Sequence, residues 1–149
     1  MRCFIGIFLP REIQQAIHKL RPNLPDIRWT RPERYHITLR FVSDLAPLAI
    51  PTMLQETRKM SAPLPISCRA TVLDGFPNRR RARVVIVRVD SDGLLESIVG
   101  DKNFQSHVTI GYARKKPLAI PATNVDIAFE AQEAVLVESQ DGEYRVRSA

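Results

Sequence analysis

Apolar residues run almost without interruption through the opening CFIGIFL, residues 3–9, the pattern of a buried strand. Pro10 then opens a helix in which Ile13, Ile17 and Leu20 share one face, until RPNLP (21–25) stops it. A different period governs YHITLRF, residues 35–41. Tyr35, Ile37, Leu39 and Phe41 fall on one side of a strand, and His36, Thr38 and Arg40 on the other. A proline-marked loop and a helix of about ten residues from near Pro51 follow. Residues 66–74 and 83–90 are rich in Val, Ile and Thr, and the intervening GFPNRRRA predicts a hairpin with a basic turn. DGLLESIVG allows only a short helix, with Ser91 or Asp92 as cap and Gly100 as terminator. In SHVTIGY, residues 106–112, Val108 and Ile110 point inward while His107, Thr109 and Gly111 share the opposite face. Two last strands fit IAFEAQEAVLVES and EYRVR, turning at Gln140-Asp141-Gly142.

The alternation already pairs an imidazole with a hydroxyl twice. The chain has three histidines, and two of them stand in one four-residue pattern, His-x-Thr-x, at residues 36 and 107. A lone histidine beside a threonine on a strand is ordinarily a half-buried polar pair, and His18, on the polar side of the first helix, has no such companion. Recurrence changes the weighing. If both strands face one cleft, two imidazoles and two hydroxyls converge there, and Arg40 adds fixed positive charge. An imidazole titrates near pH 6.5, so one of a facing pair can accept a proton while the other donates one. In-line displacement at phosphorus needs that combination, with hydroxyls donating to the non-bridging oxygens. Periodicity does not say which histidine takes which role.

Competing chemistries lack their residues. Zinc catalysis calls for three protein ligands, and no Asp, Glu or Cys recurs beside these histidines, so neither metal nor other cofactor is expected. Ser106 adjoins His107, but alternation sends it to the other face, and there is no GxSxG elbow, P-loop or GxGxxG.

Composition narrows the partner. With 22 Lys and Arg against 16 Asp and Glu, the formal charge is +6, which favours anionic ligands; part of the excess lies in NRRRAR, residues 78–83, and arginine's planar fork suits phosphate. At 149 residues, 44% apolar and 26% charged, residues 1–149 read as one domain with a real core. No apolar run is long enough to span a membrane, and the opening is too short for a signal peptide before Pro10. A cytoplasmic protein without membrane contact is expected. Cys3 and Cys68 sit singly in strand-like contexts and read as buried and reduced. Trp29 and Phe76 are candidates to stack on a base, although single aromatics beside strands are more often core.

At RCFIGIFLP, IRWTRPERYHITLRF, GFPNRRRARVVIV and FQSHVTIGYAR the chain resembles the two-histidine phosphoesterase superfamily, in its RNA 2′,3′-cyclic phosphodiesterase (2′-5′ RNA ligase) branch. The resemblance implies a bilobal α+β fold, two antiparallel sheets with outer helices flanking a central cleft. It implies a metal-independent hydrolase that opens a 2′,3′-cyclic phosphate at an RNA 3′ end to a 2′-phosphate, with reversible 2′-5′ ligation as a related activity, acting as a monomer. By position, His36 matches the general acid, His107 the base, and Thr38 and Thr109 the phosphate-contacting hydroxyls. Three features depart from the family pattern: Val42-Ser43-Asp44 follows Phe41, the segment between Val89 and His107 is short, and Tyr112 stands where Arg is usual. Alternation puts Tyr112 inward unless a bulge intervenes, and Arg114 is the candidate to replace the missing charge; Arg40 and Phe76 complete the candidate substrate contacts. The alternatives are a phosphodiesterase for a small cyclic nucleotide or 2′-5′-linked oligonucleotide, and a non-catalytic RNA-binding module.

Overall fold

The computed structural model describes residues 1–147. In chain order these form β1 (Arg2–Phe8), α1 (Arg11–His18), β2 (Ile27–Trp29), β3 (His36–Val42), α2 (Ile50–Ser61), β4 (Ile66–Phe76), β5 (Val84–Asp90), α3 (Leu94–Val99), β6 (His107–Ala113), β7 (Thr123–Ala131), β8 (Val135–Gln140) and β9 (Glu143–Arg147), an α+β arrangement. The strands pair in the order β7-β4-β5-β6-β3-β1-β8-β9, with β2 also on β6, and every pairing is antiparallel. The two expected sheets are thus the halves of one. They meet where β3 touches β6, through a single ladder pair, Ile37 with Val108.

The core lies between the helices and one face of this sheet. Ile5, Ile7, Ile37, Leu39, Val108 and Ile110 project there from the central strands, and Ile17 of α1, Met53 and Met60 of α2 and Leu95 of α3 close over them. Ile13 and Leu20 pack at its margin, as the first helical stripe predicts. Full burial of a side chain such as Ile37 is worth about 1.5–3 kcal/mol. Cys3 and Cys68 are buried free thiols, and burial pushes Cys68 up to about 11, which keeps it protonated and inert at neutral pH. None of the described helices is long and apolar enough to cross a membrane.

One predicted strand is two. IAFEAQEAVLVES breaks at Gln132-Glu133-Ala134, and its halves go to opposite ends of the sheet, β7 onto β4 and β8 onto β1. Buried Ala131 and Ala134 anchor the crossing, and the Ala134 N–H donates to Ser61 Oγ at the end of α2, 3.0 Å away. The other local signals behave as their chemistry requires. The N-cap position of α3 falls to Gly93 (φ 81°) and not to Ser91 or Asp92, although Ser91 Oγ accepts from the Leu95 N–H in its first turn at 3.0 Å, and Gly100 ends the helix at φ 78°. Asp141 and Gly142 both take positive φ (52° and 76°), the two-residue turn that matches strand twist in a hairpin, and bring β9 back along β8.

Candidate active site

The β3–β6 seam fixes the geometry of the paired motifs. With Ile37 opposite Val108 in an antiparallel ladder, His36 faces Thr109 and Thr38 faces His107, one rung away on either side. Ile37 and Val108 are fully buried on the core face. All four polar side chains therefore stand on the other face, where they line one cavity of about 190 Å³ together with Arg2, Phe4, Phe41, Tyr112, Ser139 and Tyr144.

Both motif strands carry a β-bulge one residue beyond the threonine. On β3, Thr38 pairs with Gly6 and Arg40 with Ile5, so Leu39 has no rung; on β6, Thr109 pairs with Ile86 and Gly111 with Val85, so Ile110 has none. An extra residue resets the alternation, and each strand changes face beyond it. This corrects four expectations. Phe41 and Tyr112, expected in the core, are 51% and 41% exposed and line the cleft. Arg40 leaves the cleft and pairs with Glu56 of α2. Gly111 lies on the buried side, where a Cβ would meet Trp29 at 2.8 Å and Ile27 at 2.9 Å. The two half-sites are thus alike in register as well as sequence, each with histidine, threonine, bulge and then an exposed aromatic.

Each imidazole is oriented in the same way. His36 Nδ1 lies 2.7 Å from the Arg34 carbonyl and His107 Nδ1 2.7 Å from the Gln105 carbonyl. A carbonyl only accepts, so Nδ1 carries the proton and Nε2 is left for a ligand. The surroundings differ. His36 stacks on Phe4 (ring centroids 4.4 Å apart, 14° between planes), with Phe8 and Tyr144 at 5.3 and 5.9 Å. Gly6 permits this, since a Cβ there would come within 3.0 Å of Phe4 and 3.2 Å of His36. His107 meets the edge of Phe76 at 4.8 Å, and Arg88, its ladder partner on β5, lies nearby, tied to Asp74 at 2.5 Å and Gln105 at 2.8 Å.

Desolvation by burial holds both imidazoles below the ordinary pKa of 6.5; the His107 charge lowers His36 further, and Arg88 lowers His107. Each is therefore protonated more readily in the unfolded chain. This part of the stability is present above about pH 6.5 and is lost as pH falls toward the folded values. A phosphate dianion beside them reverses the balance by favouring imidazolium. Imidazole proton NMR should give midpoints below 6.5 for His36 and His107 in the free protein, rising for at least one of them in saturating inorganic phosphate. Midpoints at or above the ordinary value without ligand, or no response to phosphate, would contradict this electrostatic picture.

Not every sequence candidate reaches the cleft. Arg114 is exposed on the chain beyond β6, where its N–H donates to Asp26, and it lines no cleft cavity. Phe76 packs on His107 with Arg88 against its own ring, 5.4 Å from the centroid, and is a buttress. Trp29 does reach the cleft: half-buried against the core, it also lines the cavity on the His36 side. Asn78 caps the turn of arginines 79–81 through the N–H groups of Arg80 and Arg81, Arg79 donates to the Ile120 carbonyl, and none of the three lines either cleft cavity. Charge comes instead from arginines that no motif marks. Arg2 lies over Phe41 at 5.4 Å and Arg28 over Tyr112 at 5.1 Å, so each exposed aromatic is backed by a guanidinium. Ser106 is buried on the core side, as alternation predicts. Among the described residues no three His, Cys, Asp or Glu side chains gather closely enough to hold a metal ion.

This arrangement has counterparts in known proteins. A protein of Thermus thermophilus named RNA 2′,3′-cyclic phosphodiesterase is 23% identical over 165 residues, covering 94% of this chain and 82% of its own. One of the same name from Aquifex aeolicus is 26% identical over 133 residues, covering 74% and 69%. A crystal structure of a Thermus thermophilus protein superposes with a TM-score of 0.83 at 22% identity, over 99% of this chain and 96% of that one. The model of the LigT-like phosphoesterases matches residues 7–86, more than half of the chain and inclusive of the first His-x-Thr-x strand; the chain belongs to the LigT-like phosphoesterase family.

Proposed function

We propose that this protein is a metal-independent RNA 2′,3′-cyclic phosphodiesterase, opening the terminal cyclic phosphate to a 2′-phosphate, with residues 1–149 acting as one two-lobed unit and as a monomer. One observation carries the reading: two imidazoles, each held at Nδ1 by a backbone carbonyl, stand with two threonine hydroxyls around one cavity. The names of the relatives point to the same reaction.

In this mechanism neutral His107 takes a proton from water as the water oxygen bonds to phosphorus, and protonated His36 gives its proton to the 3′ oxygen as the P–O3′ bond breaks. The 2′ ester bond stays. The product has a 2′-phosphate and a free 3′ hydroxyl, and His107 returns its proton to solvent as His36 regains one. Arg88 supports the assignment of His107 as base, because a fixed cation beside an imidazole disfavours its protonation. His36 can hold a proton once the phosphate anion lies beside it. Thr38 and Thr109 donate to the non-bridging oxygens, where charge builds up.

A short RNA ending in a 2′,3′-cyclic phosphate, incubated with the protein in excess EDTA, should give the 2′-phosphate and no 3′-phosphate. Dependence on added zinc, or a 3′-phosphate product, would overturn the mechanism. Tight binding without any product would favour the non-catalytic binding module.

A further inference from the structure

A second cavity, of about 280 Å³, opens beside the one between the histidines. The two share His36, Thr109, Tyr112, Ser139 and Tyr144, so one ligand can occupy both. What distinguishes the second is guanidinium: Arg28, Arg31 and Arg34 all line it. They come from one short segment, residues 28–34, that leads into the His36 strand. Among the described residues no carboxylate pairs with Arg28 or Arg34, and Arg31 has only the exposed Glu33, 3.6 Å away. Arg34 rests on Tyr144 at 4.6 Å and donates to the Gly142 carbonyl, while Arg28 rests on Tyr112. Ring stacking holds these cations in place without neutralising them, and an oxyanion can still take their N–H forks.

The position of this cavity gives it a direction. Its wall includes His36 but not His107. If His36 protonates the leaving 3′ oxygen, the 3′ edge of the terminal ribose lies on the His36 side, and that ribose, still held to phosphorus by its 2′ ester, carries its next phosphate on the 5′ carbon. We propose that the arginine cavity binds the phosphate attached to the 5′ carbon of the terminal nucleotide, so that full recognition requires phosphate on both sides of one ribose. The orientation rests on the hydrolase reading; the anion site rests on the arginines.

The test is calorimetric binding of adenosine 2′,5′-bisphosphate and adenosine 2′-monophosphate in EDTA at physiological ionic strength. The wild-type protein should bind the bisphosphate about tenfold more tightly or better, as expected for one added charge-assisted contact. Arg28→Gln and Arg34→Gln should each shrink that advantage several-fold. Arg80→Gln, an exposed residue on the basic turn that lines neither cavity, should preserve it. Equal affinities in the wild type, or a loss as large in Arg80→Gln as in the other two, would overturn the proposal, the latter because net charge alone would then explain the preference. The bisphosphate advantage without opening of RNA cyclic ends would sink the hydrolase reading and keep the anion site; cyclic-end hydrolysis without the advantage would do the reverse.

Discussion

His107→Ala should lower kcat on a cyclic-phosphate RNA by roughly 10²- to 10⁴-fold, the usual effect of removing a general base, with product affinity changed far less. His36→Ala should lose a similar factor through the opposite partner of the reaction. The two are separable by pH. In the wild type, kcat/KM should rise with pH as the base deprotonates and fall again as the acid deprotonates. His107→Ala should lose the acidic limb and His36→Ala the alkaline one, and an exchange of limbs would reverse the assigned roles. The packing predicts some structural cost for His36→Ala, because its ring covers Phe4. His36→Gln, which still covers part of that ring, is the control. Parallel losses of affinity and turnover in all of these variants would indicate damage to the cleft and no specific proton transfer.

Ile37→Ala should be the more damaging to the fold. Ile37 is fully buried and supplies half of the one ladder pair that joins the two half-sheets. Truncating such a residue typically costs about 2–5 kcal/mol, lost contacts and residual cavity together. In a chain of this size that lowers Tm by roughly 4–20 °C. The seam also sets the spacing between the His36–Thr109 and Thr38–His107 pairs. Turnover measured well below the new Tm should therefore fall too, with a larger effect on kcat than on KM. Ile13→Ala, at the margin of the core on α1, should lose stability without that loss of kcat. If the two variants lose activity only in proportion to their unfolded fractions, the seam has no role in positioning the catalytic groups.

The comparison of these two residues shows what kind of information lies along the chain. Ile37 and His36 are readable by parity alone, because a strand with one face on a core must alternate, and the same holds for Val108 and His107. The recurrence of the pair is visible in the sequence, and so is the chemistry it can support. Turn and helix-end signals are likewise legible: Asp141-Gly142 has left-handed backbone and Gly100 ends α3, although the start of that helix falls to Gly93 and not to Ser91 or Asp92.

Beyond the threonines parity fails, because it assumes one residue per rung. Leu39 and Ile110 are ordinary strand residues, and nothing in either marks it as the bulged position. The faces of Arg40, Phe41, Gly111 and Tyr112 depend on how each strand fits its neighbours, β1 in one case and β5 in the other. The same limit explains the split of IAFEAQEAVLVES. Both halves have strand character, and only the sheet order sends β7 to one end and β8 next to β1.

The arginines of the cleft are the clearest case. Sequence reasoning favours the dense run at residues 79–83 and the arginine next to the first motif, since clustering and adjacency are all that a linear chain displays. The structure instead turns Arg40 toward Glu56 and gathers Arg2, Arg28, Arg31 and Arg34 around the histidines from β1 and from the segment before β3. Alternation along a strand is a local steric rule, so the sequence by itself determined the fold class, the histidine–threonine pairs and their core-facing neighbours. Which charges surround those pairs is a matter of distances between segments far apart in the chain, and only the tertiary structure decided it.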